Sequence, residues 1–190
     1  MTDPIDTIDE TGVVTQGGHH HPVDAIIGGT GCRASEFLAT MRIAGRRGKT
    51  LNDAWQNGAA AFKGITVSGF PNLFMLYGPN TNLGHNSIIY MIESQIAYVI
   101  SALETLERDG HRFVDVRPDV QDDFNRALQA RMRDTVWDQG CESWYKTASG
   151  KNTNNWPGFT FSYRQRTRHL DPQDYELHPR NRRPHTPPLP

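Results

Sequence analysis

Residues 69–87 read GFPNLFMLYGPNTNLGHNS and lead directly into the longest apolar helical pattern of the chain. The run 73–77 does not alternate between apolar and polar residues, which predicts a strand covered on both faces. A polar loop follows at 78–85, and then a helix is predicted from 86 to 108. Its apolar stripe recurs at three- and four-residue steps and consists of Ile88, Ile92, Ile96, Val99, Leu103 and Leu106. A strand, a loop and a helix in this order predict an α/β fold with a candidate binding site at the loop.

Shorter patterns on both sides of this stretch predict the remaining elements. A buried strand is predicted at 23–27, ending at the glycine-rich turn 28–31, and further strands at 65–67 and 112–116. A short helix is predicted at 51–57, between Thr50 and Gly58. A second long helix is predicted at 119–138, with a stripe that consists of Val120, Phe124, Leu128, Met132 and Val136.

The sequence divides into three parts by composition. Residues 1–22 are polar and glycine-rich and are expected to be poorly ordered, apart from a short strand at Val13-Val14. Residues 23–170 are expected to form the folded part. Residues 171–190 are rich in proline and arginine and poor in apolar residues, which predicts a disordered tail.

Charge and composition narrow the class of protein. The 190 residues are enough for one domain, and 20 Lys and Arg against 21 Asp and Glu leave a net charge of −1. No strong positive field is available to hold nucleic acid or an anionic membrane, so neither is expected as a partner. The start has no signal-peptide core, the longest apolar helix is interrupted by polar residues, and two cysteines are too few for a disulfide framework. A soluble protein of the cytoplasm is predicted.

The loop and the start of the long helix carry the best candidate chemistry. The first N–H groups of a helix lack intrahelical partners and bear about half a positive charge, which suits an anionic or electron-rich ligand edge. The loop supplies short hydrogen-bonding side chains, among them Asn80, His85, Asn86 and Ser87. A well-capped helix with a polar connection, and no ligand, fits the same residues.

Other motifs are less specific. The turn 28–31 lacks the third glycine of the dinucleotide fingerprint, and no G-x-x-x-x-G-K-[ST] motif occurs. The histidines at 19–21 have no Cys or His partner at zinc spacing, so no metal is expected. Cys32 and Cys141 each lack a basic partner and are expected to be structural thiols.

The string 69–87 resembles the C-terminal third of the Baeyer–Villiger flavin monooxygenases, and most closely the 4-hydroxyacetophenone monooxygenase-like group. Upstream, the run 23–32 resembles the strand of that family that ends in Ala-Thr-Gly-aromatic. Downstream, the segments CESWY at 141–145 and WPG at 156–158 resemble the late Ser-Trp loop of the family. The resemblance covers roughly three quarters of the chain.

The resemblance implies an enzyme that uses FAD and NADPH to insert one oxygen atom of O2 beside a ketone carbonyl, giving an ester or a lactone. The cofactor-binding residues that it implies are Thr30, Gly31, Asn80, Gly84, His85, Asn86, Ser87 and Trp144. Residues 84–87 would meet the pyrimidine edge of the flavin, with backbone N–H groups that stabilise charge on the reduced ring. Thr30 and Gly31 would line the cofactor cleft, and Trp144 would pack near the nicotinamide end of NADP.

The motifs that such an enzyme needs upstream are not in this sequence. It contains no FAD fingerprint, no NADP fingerprint, no F-x-G-x-x-x-H signature and no active-site arginine of the NADP domain. The chain is therefore expected to be the C-terminal fragment of a flavoprotein with two Rossmann-type dinucleotide-binding domains, and its catalytic residues are expected in the missing part. If the missing part is encoded separately, a complementary N-terminal flavoprotein chain is expected as a partner. Two alternatives stay open: a non-catalytic remnant or docking module of a flavoprotein, and an N- or S-oxygenating flavin monooxygenase.

Overall fold

The computed structural model describes residues 3–29, 36–38, 40–138 and 145–180. The chain divides into two compact units, Met1–Cys32 and Arg33–Pro190. Both helices and strands occur among the described residues, so the chain is mixed α/β as predicted.

The first unit is a small antiparallel sheet of three strands in the order β1 (Ile5–Asp9), β2 (Gly12–Thr15) and β3 (His20–Pro22). The turn between β1 and β2 is closed by the Asp9 carboxylate, which accepts hydrogen bonds from the backbone N–H groups of Thr11 (2.8 Å) and Gly12 (2.9 Å). Strands thus form where the sequence analysis expects a poorly ordered start, because side-chain chemistry at the turn supports a weakly apolar hairpin. The short strand expected at Val13-Val14 lies within β2.

The strand predicted at 23–27 is wrong. Val23, Ile26 and Ile27 are all exposed, and residues 24–29 pair with no strand in the part of the chain that the structure describes. The Val23 N–H donates a hydrogen bond to the carbonyl oxygen of Thr11 at 3.2 Å. An apolar run needs a neighbouring strand to become part of a sheet, and no described residue supplies one.

The second unit contains four α-helices and a two-stranded antiparallel sheet among its described residues. The elements are α1 (Leu51–Ala54), α2 (Ile88–Arg108), β4 (His111–Val116), α3 (Pro118–Met132), α4 (Thr160–Arg166) and β5 (Tyr175–Pro179). The predicted helices are confirmed, although α1 and α3 end earlier than predicted. The edge strand predicted at 112–116 is confirmed as β4.

The tail is folded further than predicted. Strand β5 pairs with β4 in the register Val114 to Leu177 and Val116 to Tyr175, so residues 171–180 are not a disordered tail. Tyr175 is buried and Leu177 is half-buried, and they alternate with Glu176. This short alternation outweighs the proline and arginine content on which the prediction relied. The prediction for 181–190 lies outside the described residues.

The strands predicted at 65–67 and 73–77 are also wrong, because both runs form turns and irregular backbone. Thr66 forms an isolated bridge with Phe62, and a backbone hydrogen bond from Met75 N–H to the Ile65 carbonyl oxygen (2.8 Å) joins the two runs. Asn72 and Tyr77 adopt positive φ angles of 58° and 60°, which end the extended conformation on both sides of 73–76.

The main core of the second unit lies between α2, the β4–β5 sheet and the turn at 62–66. Its buried residues are Phe62, Ile65, Tyr98, Ala102, Leu106, Val114, Val116, Leu170 and Tyr175. The hydroxyl groups of Tyr98 and Tyr175 are hydrogen bonded at 2.9 Å, and Tyr175 also contacts the hydroxyl of Thr66 at 3.0 Å. Burial raises the pKa of Tyr175 to about 12.

The predicted stripe of α2 is only partly buried: Leu106 lies in the core and Val99 packs against it. Ile96 and Leu103 are exposed, whereas Met91, Tyr98 and Ala102 are fully buried. The side toward the core therefore combines aromatic, small and polar side chains, and the isoleucine-rich side is turned away from it.

Candidate functional site

The loop 78–87 is held in place by the segment 152–156 through backbone hydrogen bonds. Asn80 N–H donates to the carbonyl oxygen of Thr153 (2.8 Å), and Asn82 N–H donates to that of Asn154 (2.9 Å). In the opposite direction, Trp156 N–H donates to the Asn82 carbonyl oxygen at 2.9 Å. These bonds give the loop strand-like support without a regular sheet, so its position depends on a segment about seventy residues later in the chain.

The side chain of Asn80 strengthens the same anchor from the inside. It is buried, and its Nδ2 group donates to the carbonyl oxygens of Asn152 (2.9 Å) and Asn155 (3.1 Å). Its φ angle is +57°, a conformation that asparagine tolerates better than most residues. The sequence analysis selects Asn80 as a cofactor-binding residue, and the structure places its amide among backbone carbonyls of this chain. Asn80 therefore positions the loop.

The start of the loop packs against the turn at 62–66 through two glycines. A Cβ atom on Gly78 would lie 2.3 Å from the carbonyl oxygen of Gly64. A Cβ atom on Gly64 would lie 2.2 Å from the methyl group of Thr81 and 2.8 Å from the carbonyl oxygen of Pro79. All three distances are shorter than a van der Waals contact, so larger residues would push the loop away from the turn.

Polar side chains fix the loop relative to α2. Tyr77 N–H donates to Gln95 Oε1 at 2.8 Å, and Gln95 Nε2 donates to the hydroxyl of Tyr163 at 3.1 Å. The Tyr163 hydroxyl in turn donates to the carbonyl oxygen of Lys63 at 2.6 Å. Gln95 is fully buried, and burial raises the pKa of Tyr163. A buried polar chain of this kind holds the loop and the helix in one arrangement, because breaking it strands polar groups away from water.

The N-terminus of α2 is open in this structure. Ser87 is the N-cap residue, but its side chain makes no capping hydrogen bond, and no acidic residue lies in the first turn. The preceding Asn86 accepts from Ser87 N–H (2.7 Å) and donates to the Thr160 hydroxyl (2.9 Å). Residues 84–87 are exposed. The well-capped alternative is therefore not what the structure shows, and the positive end of a 21-residue helix faces outward.

A cleft of about 290 Å³ lies beside this helix end. His85, Trp137 and Trp156 line it together with Arg131. The Arg131 guanidinium lies 5.8 Å from the centroid of the Trp156 ring, within cation–π range. Trp137 also packs directly on Gly84, where a Cβ atom would lie 2.3 Å from the indole. The cleft thus combines aromatic walls with a positively charged group.

Several of these residues are outside the sequence-based prediction. Arg131 and Trp137 lie at and beyond the end of α3, far from the loop in sequence, and no local pattern marks them. The polar run Asn152–Thr153–Asn154–Asn155 is buried, although a run of this composition is typical of a solvated loop. Of the predicted site residues, the structure brings Asn80, Gly84, His85, Asn86 and Ser87 together in one loop.

The remaining predicted site residues cannot be placed. Thr30, Gly31 and Trp144 lie outside the described residues, as do Cys32 and Cys141. Within the described ranges, no three His, Cys, Asp or Glu side chains are close enough to hold a metal ion. None of the described helices is long and apolar enough to cross a membrane.

Comparisons with known proteins give the relatives of this chain. A Baeyer–Villiger monooxygenase of Pseudomonas aeruginosa is 45% identical over 179 residues, which is 93% of this chain and 34% of the relative. A Baeyer–Villiger monooxygenase of Streptomyces coelicolor is 41% identical over 167 residues, 87% of this chain and 32% of the relative. An FAD-binding monooxygenase of Aspergillus niger is 40% identical over 181 residues, which is 93% of this chain and 30% of the relative. No protein-family model matches the chain.

Solved structures agree with these relatives. Oxidized steroid monooxygenase bound to NADP matches with a TM-score of 0.74 at 26% identity, covering 94% of this chain and 34% of that one. The closed crystal structure of cyclohexanone monooxygenase matches with a TM-score of 0.74 at 25% identity, covering 93% of this chain and 34% of that one. The fold is thus that of one part of a two-domain flavin monooxygenase.

The chain belongs to the Baeyer–Villiger monooxygenases and spans about one third of the length of the relatives that it matches. The resemblance drawn from the string 69–87 is confirmed.

Proposed function

We propose that this chain supplies the flavin-contacting loop and helix of an FAD- and NADPH-dependent Baeyer–Villiger monooxygenase, which converts a small ketone and O2 to an ester or a lactone. The observation that carries the proposal is the open N-terminus of α2, held rigidly beside the exposed residues 84–87. The names of the relatives support the reaction class. Activity requires the flavin-binding part that the relatives have and this chain does not match. A location in the cytoplasm is part of the proposal, since only two cysteines occur.

The donors in the loop fit a flavin edge. The pyrimidine ring of FAD presents carbonyl oxygens and gains negative charge on reduction, and the free N–H groups at the start of α2 are positive donors. When bound, FAD reduced by NADPH activates O2 and supplies the oxygen atom that is inserted. The exposed side chain of Asn86 turns its amide oxygen toward Ser87 N–H and leaves the next N–H groups of the helix available.

The other residues of the site act on position and solvent access. Asn80, Gly64 and Gly78 hold the loop at a fixed distance from the core. Trp137 and Trp156 form an apolar wall next to the loop that excludes water from one side of the cofactor edge. Thr30, Gly31 and Trp144 keep the roles that the resemblance implies, at the cofactor cleft and near the nicotinamide, as part of this proposal.

The test is a chimera in which this chain replaces the matching third of the Pseudomonas aeruginosa enzyme. We expect the chimera to purify with bound FAD, to oxidise NADPH in response to a ketone and to release an ester. The isolated chain is expected to bind no FAD, because it lacks the G-x-G-x-x-G fingerprint that binds the diphosphate at a helix N-terminus. Products oxidised at nitrogen or sulfur, without any ester, would favour the alternative of an N- or S-oxygenating flavin monooxygenase. A folded chimera without flavin or turnover would favour a non-catalytic remnant.

A single substitution separates a cofactor role of the loop from a structural role. Asn86→Asp keeps the shape of the side chain and adds a negative charge at the start of α2. A carboxylate there stabilises a helix, so the isolated chain should unfold at the same or a higher urea concentration. In the chimera, the same charge opposes the charge on reduced flavin, and we expect about 1 kcal/mol, or about fivefold, weaker binding of reduced FAD. Asn86→Ala is the matched uncharged control.

A further inference from the structure

Arg131 is a cation without a counter-ion in the cleft beside the loop 84–87. It lies in the last turn of α3, is exposed, and lines the cleft together with His85, Trp137 and Trp156. By contrast, Arg126 on the same helix pairs with Asp123 at 2.8 Å. Among the residues that the structure describes, no aspartate or glutamate forms an ion pair with Arg131, so its guanidinium is available to an anion from outside the chain.

Contacts on the cleft wall hold this guanidinium in place. Its central carbon Cζ lies 5.8 Å from the centroid of the Trp156 ring, and Trp156 is itself buried. Gly158 leaves room for the group, because a Cβ atom at that position would lie 2.9 Å from Nη2 of Arg131. An arginine that already rests on an aromatic ring loses less freedom when it binds an anion, since its planar set of donors is in place beforehand.

The cleft combines the features of a site for a small molecule with a ring and one anionic end. Trp137, Trp156 and Phe159 supply aromatic surface on which a ring can pack. The guanidinium of Arg131 presents the fork of N–H donors that matches a carboxylate. The volume of about 290 Å³ is at the lower end of the range for ligand pockets, which suits one ring with short substituents.

We propose that this cleft binds the substrate and that Arg131 selects a ring-containing ketone that also carries a carboxylate. The inference rests on the proposed function and names its substrate class. His85 lines the cleft and directly precedes Asn86, so a molecule in the cleft lies beside the residues proposed to meet the flavin. The carboxylate pairs with the guanidinium and takes no part in the oxygen insertion, which occurs at the ketone group of the same molecule.

A phosphate group of NADPH is the other anion that could reach Arg131. It is attached to a polar ribose, which gains little from aromatic walls, whereas the ring of a keto acid packs on them. The walls of the cleft therefore favour the substrate carboxylate.

Binding to the isolated chain is the first test. The two probes are 4-acetylbenzoate and 4-methylacetophenone, which share a ring and a ketone and differ by a carboxylate in place of a methyl group. Dissociation constants are measured from the indole N–H signals in NMR titrations. We expect at least fivefold tighter binding of 4-acetylbenzoate and loss of this preference in Arg131→Gln, whereas Arg131→Lys, which keeps the charge, should retain part of it. Arg133→Gln, at an exposed position outside the cleft, is the matched control and should keep all of it.

Turnover by the chimera described above is the second test. Arg131→Gln should lower the ratio of kcat/KM for 4-acetylbenzoate to that for 4-methylacetophenone at least fivefold, mainly through the KM of the acid. Arg133→Gln should leave this ratio and the KM of NADPH within twofold of the parent values. Urea midpoints of the variants check that each is folded.

The outcomes separate the carboxylate site from the proposed function. Equal affinity of the parent chain and Arg131→Gln for 4-acetylbenzoate overturns the site, and so do equal losses for the acid and the neutral ketone, which indicate a structural role. A higher KM of NADPH with an unchanged substrate ratio identifies a phosphate as the anion and also overturns it. Binding of the acid that depends on Arg131, in a chain whose chimera oxidises no ketone, supports the carboxylate site and refutes the proposed function.

Discussion

Replacing Gly64 by alanine should destabilise the second unit by more than backbone strain alone. Gly64 has a φ angle of +69°, which costs a residue with a Cβ atom about 1–2 kcal/mol. The added methyl would also lie 2.2 Å from the Thr81 methyl and 2.8 Å from the Pro79 carbonyl oxygen, and overpacking of this kind costs about 1–3 kcal/mol. Thr81 is fully buried and cannot move into solvent. The expected loss in free energy of unfolding is about 2–5 kcal/mol.

A second glycine provides the control for this prediction. Gly69 has a φ angle of +85°, and a Cβ atom there would meet no atom within 4 Å. Gly69→Ala should therefore lose only the backbone component, about 1–2 kcal/mol. Urea unfolding of both variants, followed by tryptophan fluorescence, measures the difference, and Gly64→Ala combined with Thr81→Ser should recover part of it. Equal losses for the two alanine variants would refute the close packing of the loop 78–82 on the turn at 62–66.

Three further predictions concern the anchor, the pH dependence and the cofactor. Asn80→Ala leaves the carbonyl oxygen of Asn155 without its donor and removes one of the two donors to that of Asn152, which still accepts from Gln129 Nε2. It should lower the free energy of unfolding in urea by about 2–4 kcal/mol, against less than about 1.5 kcal/mol for the exposed Asn86→Ala. Tyr175, with its pKa raised from 10.0 to about 12, contributes stability that is complete below pH 10 and falls by about 3 kcal/mol as the pH rises from 10 through 12. A Tyr175→Phe variant should lose correspondingly less stability over this range, and urea midpoints that fall equally in both proteins would contradict this. In the chimera, Trp144→Ala should weaken NADPH binding more than FAD binding, and unchanged coupling of NADPH oxidation to ester would count against that role.

Local patterns are sufficient for α1, α2 and α3 and for selecting the candidate loop, whereas they do not predict α4. The spacing of apolar residues locates α2 and α3, and Thr50 locates the start of α1 because it forms a capping box with Asp53. The loop 78–87 can be selected from its polar residues and from the helix that follows. These features depend on residues within a few positions of each other, so the sequence carries them directly.

The strands show where local patterns fail. The run 73–77 is as apolar as a buried strand, but a strand exists only when another segment pairs with it. The run 175–179 has a proline-rich context, yet its register with β4 buries Tyr175 and half-buries Leu177. The partner, and not the composition of the run, decides which segment becomes a strand.

The direction in which α2 faces is a property of contacts distant in sequence, and the function depends on it. Both faces of the helix have helical periodicity, and the predicted stripe mixes them, because Leu106 is buried whereas Ile96 and Leu103 are exposed. The structure buries Gln95 and Tyr98 on the core side because their polar groups find partners 68 and 77 residues away, in Tyr163 and Tyr175. A buried amide or phenol without those partners would cost about 1–3 kcal/mol, so the partners determine the rotation of α2 about its axis. That rotation leaves Ile89, Ile96, Ile100 and Leu103 exposed. The same buried contacts hold Tyr77 and the loop at the start of the helix, and they thereby set the direction in which the positive end of the helix points.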